Sequence, residues 1–91
     1  MKIVKNIDLI LDFINNLNKI EKYNYEHTQD NSYFFVVLLK GNIELHIDYY
    51  YNHDMVIFFI NKDKNCHYNG ILPFKKGLII IKEKLELLGS V

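Results

Sequence analysis

The sequence predicts an α+β fold: an antiparallel meander sheet of three to four strands with an N-terminal and a C-terminal helix, in the order α-β-β-β-(β)-α. Three observations carry that prediction. Apolar residues near the start recur at three- and four-residue spacing. A central block from Tyr33 to Ile60 is rich in aromatic and β-branched residues and is cut twice by short turn signals. Beyond the single proline, Pro73, helical spacing returns. The 91 residues make one domain, residues 1–91, without linker or internal repeat.

In the first element, Ile7, Ile10, Leu11, Ile14, Leu17 and Ile20 line one helical face. Its start is expected at Lys5 or Asn6, with Asp8 in the first turn, where the helix dipole favours an acid. Asp12, Asn15, Asn16, Lys19 and Lys22 fall on the polar face, and the helix is expected to fade at Lys22 or Tyr23. The polar segment NYEHTQDNS, ending at Ser32, reads as a loop.

YFFVVLLK, residues 33–40, reads as a strand, and Gly41-Asn42 as a two-residue hairpin turn. That turn sets Lys40 opposite Ile43, Leu38 opposite Leu45, Val36 opposite Ile47 and Phe34 opposite Tyr49 on the core face. The other face then pairs Leu39 with Glu44, Val37 with His46, Phe35 with Asp48 and Tyr33 with Tyr50. Asn52-His53 closes a second hairpin, with Tyr49 facing Val56, Ile47 facing Phe58 and Leu45 facing Ile60. Both turns thus send one face to the core, and a one-residue slip would bury Glu44, His46 and Asp48.

NKDKNCHYNG, residues 61–70, reads as a loop with a short fourth strand at Cys66 to Tyr68. After Pro73, the positions Phe74, Leu78, Ile81, Leu85 and Leu88 mark a second helix that Gly89 ends. The run Leu78–Ile81 also fits a strand, and the sequence leaves that choice open.

With both helices on the core face, the other face is left open. Tyr33, Phe35, Val37 and Leu39 would lie on one side of it and Met55, Ile57 and Phe59 on the other, with Glu44, His46, Asp48 and Tyr50 between them. A large apolar face with an acidic stripe has the anatomy of a binding surface. The candidate partner-binding residues are therefore Glu44, His46, Asp48, Tyr50, Asp54, Tyr33, Phe35 and Phe59. Two arrangements compete: a helix or loop covering this face from within, and a homodimer burying it against a second copy.

Charge narrows the partner. The chain is neutral overall, yet from Tyr23 to Asn61 Lys40 is the only base against Glu26, Asp30, Glu44, Asp48 and Asp54. A basic partner suits that middle. All 11 basic residues are lysines, and the absence of arginine with zero net charge argues against nucleic-acid binding. The single cysteine, Cys66, permits no internal disulfide. Neither a signal-peptide core nor a membrane-length apolar run is present, so a cytoplasmic protein without membrane contact is expected.

No catalytic, metal or cofactor motif stands out. His46 between two acids suggests a general base, as in a small nuclease-like enzyme, but alternate residues of a strand stand about 7 Å apart, too far for a direct triad. Cys66-His67 with His53 or His27 lacks zinc-site spacing. Hydroxyl nucleophiles are scarce, with Thr28, Ser32 and Ser90 the only serine and threonine residues.

The element order resembles that of the double-stranded-RNA-binding domain, whose last helix begins with paired lysines; Lys75 and Lys76 stand where those would fall. The first hairpin loop is too short to reach a second minor groove and the remaining surface is not basic, so this resemblance implies topology and not RNA binding. In its size, its lack of catalytic motifs and its acidic middle, the whole chain resembles the small immunity proteins of bacterial toxin systems, including contact-dependent growth inhibition. That resemblance implies a cytoplasmic inhibitor that binds a basic nuclease toxin and blocks its active site, with no catalysis of its own. The alternative is a homodimeric structural or regulatory module, such as a phage-encoded one.

Overall fold

The computed structural model describes residues 2–17, 20–39 and 41–89. Helix α1 (Lys2–Asn15) is followed by β1 (Ile20–Thr28), β2 (Ser32–Leu39), β3 (Ile43–Tyr50), β4 (Met55–Lys62) and β5 (Asn65–Pro73), and α2 (Phe74–Leu87) closes the chain. The strands form one sheet in the order β1-β2-β3-β4-β5, every neighbouring pair antiparallel. The expected α+β meander is present, with five strands rather than three or four.

Helix α1 begins earlier and ends sooner than its apolar spacing suggests, so Asp8 lies past the first turn. Asn6, expected near the helix start, lies within it. It is buried, and its side-chain amide donates to the Tyr49 hydroxyl at 2.8 Å and to Asp54 Oδ1 at 3.2 Å. Ile10 and Ile14 bury the face below it. Lys19 of the expected polar face lies outside the described residues.

Of the expected loop at residues 24–32, only 29–31 form a turn; residues 24–28 are instead the second half of an edge strand, β1, and Ser32 opens β2. Tyr23 and Tyr25 stand opposite Val37 and Phe35 and alternate with exposed Asn24 and Glu26. Because β1 has a neighbour on one side only, it buries little and its sequence stays polar. Tyr25 stacks on Phe35 with ring centroids 5.3 Å apart.

The first hairpin departs from expectation in register. β2 ends at Leu39 and β3 begins at Ile43, so three positions rather than two separate them, and Gly41 takes φ 96°. Three-residue hairpin loops use such a left-handed position. The odd extra residue shifts β2 by one place: Phe35 pairs with Ile47 and Val37 with Leu45, while Phe34 pairs with Asp48, Val36 with His46 and Leu38 with Glu44. A shift of one turns every side chain of a strand over. The expected Lys40–Ile43 pair lies outside the described residues.

The second hairpin keeps its expected register, with Tyr49 opposite Val56, Ile47 opposite Phe58 and Leu45 opposite Ile60. Residues 51–54 connect β3 to β4, and an even loop preserves the faces that a two-residue turn would give. Between β4 and β5, Asp63 and Lys64 both take positive φ, 54° and 66°, the signature of a tight hairpin turn. This turn extends the expected short fourth strand to nine residues.

Helix α2 settles the open choice at Leu78–Ile81 in favour of helix. Its Gly77 lies against β4, and a methyl group there would overlap the Val56 Cγ2 atom. Phe74, Ile81 and Leu85 of α2 join Ile10 and Ile14 of α1 in one core with Phe35, Val37, Leu45, Ile47, Tyr49, Val56, Phe58 and Ile60. Both helices therefore pack on the same sheet face.

Candidate functional site

The sheet face turned away from the helices is uncovered among the described residues. Cross-strand pairing lays it out in rows through β2, β3 and β4: Leu38–Glu44–Asn61, Val36–His46–Phe59, Phe34–Asp48–Ile57 and Ser32–Tyr50–Met55. A polar stripe on β3 thus runs between two apolar columns. Farther out, Lys22, Asn24 and Glu26 of β1 form a polar margin, while Ile71 of β5 extends the apolar column beside Ile57. Phe34, Phe59 and Ile71 remain 38%, 47% and 64% exposed. A polar stripe between exposed apolar columns offers a partner both apolar contact and hydrogen-bonding groups, as recognition surfaces do.

Asp48 is the unusual member of the stripe. On an uncovered face it is only 8% exposed, because Phe34 and Ile57 flank it on the neighbouring strands. Its Oδ1 is shut off from water and has no hydrogen-bond partner. Buried polar atoms are nearly always paired, and one left unpaired costs stability. Together with Phe34, His46, Tyr50, Ile57 and Phe59, Asp48 lines a cavity of about 230 Å³ that opens on this face. The Tyr50 phenol is held above its usual range, first by Asp48 as a hydrogen-bond acceptor for the protonated form and then by the negative charge of Asp48, with smaller contributions from burial and Asp30.

Glu44 and His46 lean together along the strand: His46 Nε2 lies 3.1 Å from Glu44 Oε2. Backbone spacing alone predicts a wider gap, and the long Glu44 side chain closes it. Both groups remain partly exposed. The Thr28 and Ser32 hydroxyls bond each other at 2.6 Å by the β1–β2 turn, away from this pair.

Three expected site residues stand elsewhere. Phe35 is fully buried in the core, displaced there by the three-residue loop, and Phe34 takes the open-face position intended for it. Tyr33 turns the same way as Phe35. Its ring lies 4.9 Å from that of His27 and 5.9 Å from that of Tyr51, at the edge of the helix-covered face. Asp54 sits in the β3–β4 loop on the helix side, where Lys2 Nζ contacts its carboxylate at 2.9 Å and Asn6 donates to it. Its carbonyl also accepts the Phe74 N–H at the start of α2. Those bonds join both helices to the loop and leave Asp54 off the stripe.

Glu44, His46, Asp48, Tyr50 and Phe59 do share the open face. Sequence reasoning missed Phe34 as an aromatic member. The signal lay in Lys40-Gly41-Asn42, where a central glycine suits a three-residue hairpin as well as a two-residue one. Fold and site together define an α+β protein with one two-helix face and one bare face. No protein-family model, curated protein or solved structure matches the chain. Among the described residues no group of three His, Cys, Asp or Glu side chains is arranged to hold a metal ion, and no helix is long and apolar enough to cross a membrane.

Proposed function

We propose that this chain is a protein-binding inhibitor whose bare sheet face closes over a basic partner, in the manner of a cytoplasmic immunity protein against a nuclease toxin, with no catalysis of its own. The observation that carries the reading is Asp48: a buried carboxylate oxygen without a partner, set among exposed aromatic side chains. An arrangement that is costly in the free protein makes sense when a second molecule completes it. Phe34, Ile57 and Phe59 supply apolar anchors, while Glu44 and Asp48 steer a basic surface into place.

Charge separates this reading from a homodimer. In a two-fold dimer built face to face on β3, the Glu44 and Asp48 carboxylates of one copy would face those of the other, and like charges brought together without water oppose association. A basic partner turns the same stripe into an attraction.

Where the gene lies beside a large reading frame whose product is toxic, co-expression of the two tests the proposal through bacterial growth. The wild-type chain is expected to restore growth against a toxic neighbour. Glu44→Lys combined with Asp48→Lys is expected to abolish protection, as is Phe59→Asp at an exposed position, each with its fold checked by circular dichroism. Full protection by both variants, or none by the wild type, would overturn the proposal.

A further inference from the structure

We infer that the cavity above Asp48 is a receptor for a single arginine side chain of the partner. This inference rests on the docking-face reading above and specifies what the face recognises. A 230 Å³ cavity corresponds to the liquid volume of about seven or eight waters, enough for a guanidinium and its last methylenes. Asp48 supplies the buried carboxylate, and Oδ1 is the acceptor that lacks a donor. Oδ1 is closed off in the free chain, so binding turns the carboxylate about its Cβ–Cγ bond, which is soft in aspartate, to bring that oxygen to the cavity.

Wall chemistry selects the cation. Phe34, Tyr50 and Phe59 surround the carboxylate with aromatic rings and Ile57 completes the lining. A guanidinium is planar, weakly hydrated and able to stack on rings while donating twice to a carboxylate. A lysine ammonium is compact and strongly hydrated, and it gains less from such walls. A divalent metal would require several oxygen ligands, and this cavity offers one carboxylate, with His46 beside it. The chain contains no arginine, so no residue of its own can fill the site in this way.

The test is an NMR titration of the folded chain with three short peptides: acetyl-Gly-Arg-Gly-amide, its lysine counterpart and its citrulline counterpart. Citrulline keeps the shape of arginine and removes the charge. The arginine peptide is expected to produce saturable shifts at Phe34 and at His46 through Tyr50, with a Kd on the order of 1–10 mM, a plausible range for one side chain. Lysine should bind at least about threefold more weakly and citrulline should give no saturable shift; Asp48→Asn should weaken arginine binding by about tenfold or more, a loss the size of one charged hydrogen bond. Equal binding of all three peptides, unaltered binding to Asp48→Asn, or no saturable shift with arginine would overturn the inference. The growth test fails independently. Protection without arginine binding removes only the arginine receptor, and arginine binding without protection removes only the inhibitor reading.

Discussion

Replacing Asp48 with leucine should make the free protein more stable. The position is 8% exposed, and its neighbours across the sheet are Phe34 and Ile57. An unpaired buried acceptor costs about 1–3 kcal/mol. Leucine removes that cost, adds apolar contact with both neighbours and suits a strand better than aspartate does. Loss of the acceptor near the Tyr50 hydroxyl offsets part of the gain, since Tyr50 keeps its access to water. The expected net is about 1–2 kcal/mol. For a domain of this size that corresponds to a rise in Tm of about 5–15 °C. Circular dichroism at neutral pH, repeated in urea, gives the value, and an unchanged urea slope would show that the same surface unfolds. Glu44→Leu, at a half-exposed place on the same strand, is the control and should stay within about 0.5 kcal/mol. An Asp48→Leu protein no more stable than the wild type would refute the reasoning that Asp48 is held at a cost.

Other expectations follow from the same geometry. Phe35→Asp should prevent folding, because Phe35 is fully buried, whereas Phe34→Asp should leave a folded chain; far-ultraviolet circular dichroism separates the two. Gly77→Ala should destabilise by about 1–3 kcal/mol in chemical unfolding, since overlap with Val56 outweighs a gain of about 1 kcal/mol in helix propensity. The Tyr49 hydroxyl titrates above its ordinary value of 10.0, chiefly because burial disfavours the phenolate, with Asp54 adding to the effect and the Asn6 hydrogen bond opposing it. The folded state then holds that proton more tightly than the unfolded chain. Stability from this group is therefore full below pH 10 and is lost as pH rises from there through the folded value. Urea midpoints from pH 8 upward should fall above about pH 10, and Tyr49→Phe should flatten that fall.

How much of this was legible in the sequence depended on how strongly each element buries one face. The β3–β4 hairpin carries regular apolar spacing, and its register is legible in the sequence, whereas over Leu78–Ile81 the helical spacing of α2 competes with a strand pattern and only the fold decides. Strand β1 was not legible, because an edge strand leaves most side chains in water, and only Tyr23, Tyr25 and His27 preserve a two-residue period. Register at β2 was ambiguous for a different reason. Phe34 through Leu39 are apolar without interruption, so the strand itself does not say which face is inside. The parity of one loop decides it, and a single extra residue at Gly41 exchanged Phe35 for Phe34. On β3 the alternation of Glu44, His46 and Asp48 with Leu45 and Ile47 removed that ambiguity, which is why the stripe was placed correctly. Asp54 was misplaced because its bonds to Lys2 and Asn6 join segments far apart in the chain and leave no local signal.

The most direct test of the central claim, that the bare face is free in the isolated chain and docks a basic partner, is the absolute mass in solution by light scattering across a wide concentration range. The account predicts a monomer of 10.9 kDa throughout. A stable dimer that Phe59→Asp converts to monomers would contradict it, by showing that the face is satisfied by a second copy of the same chain.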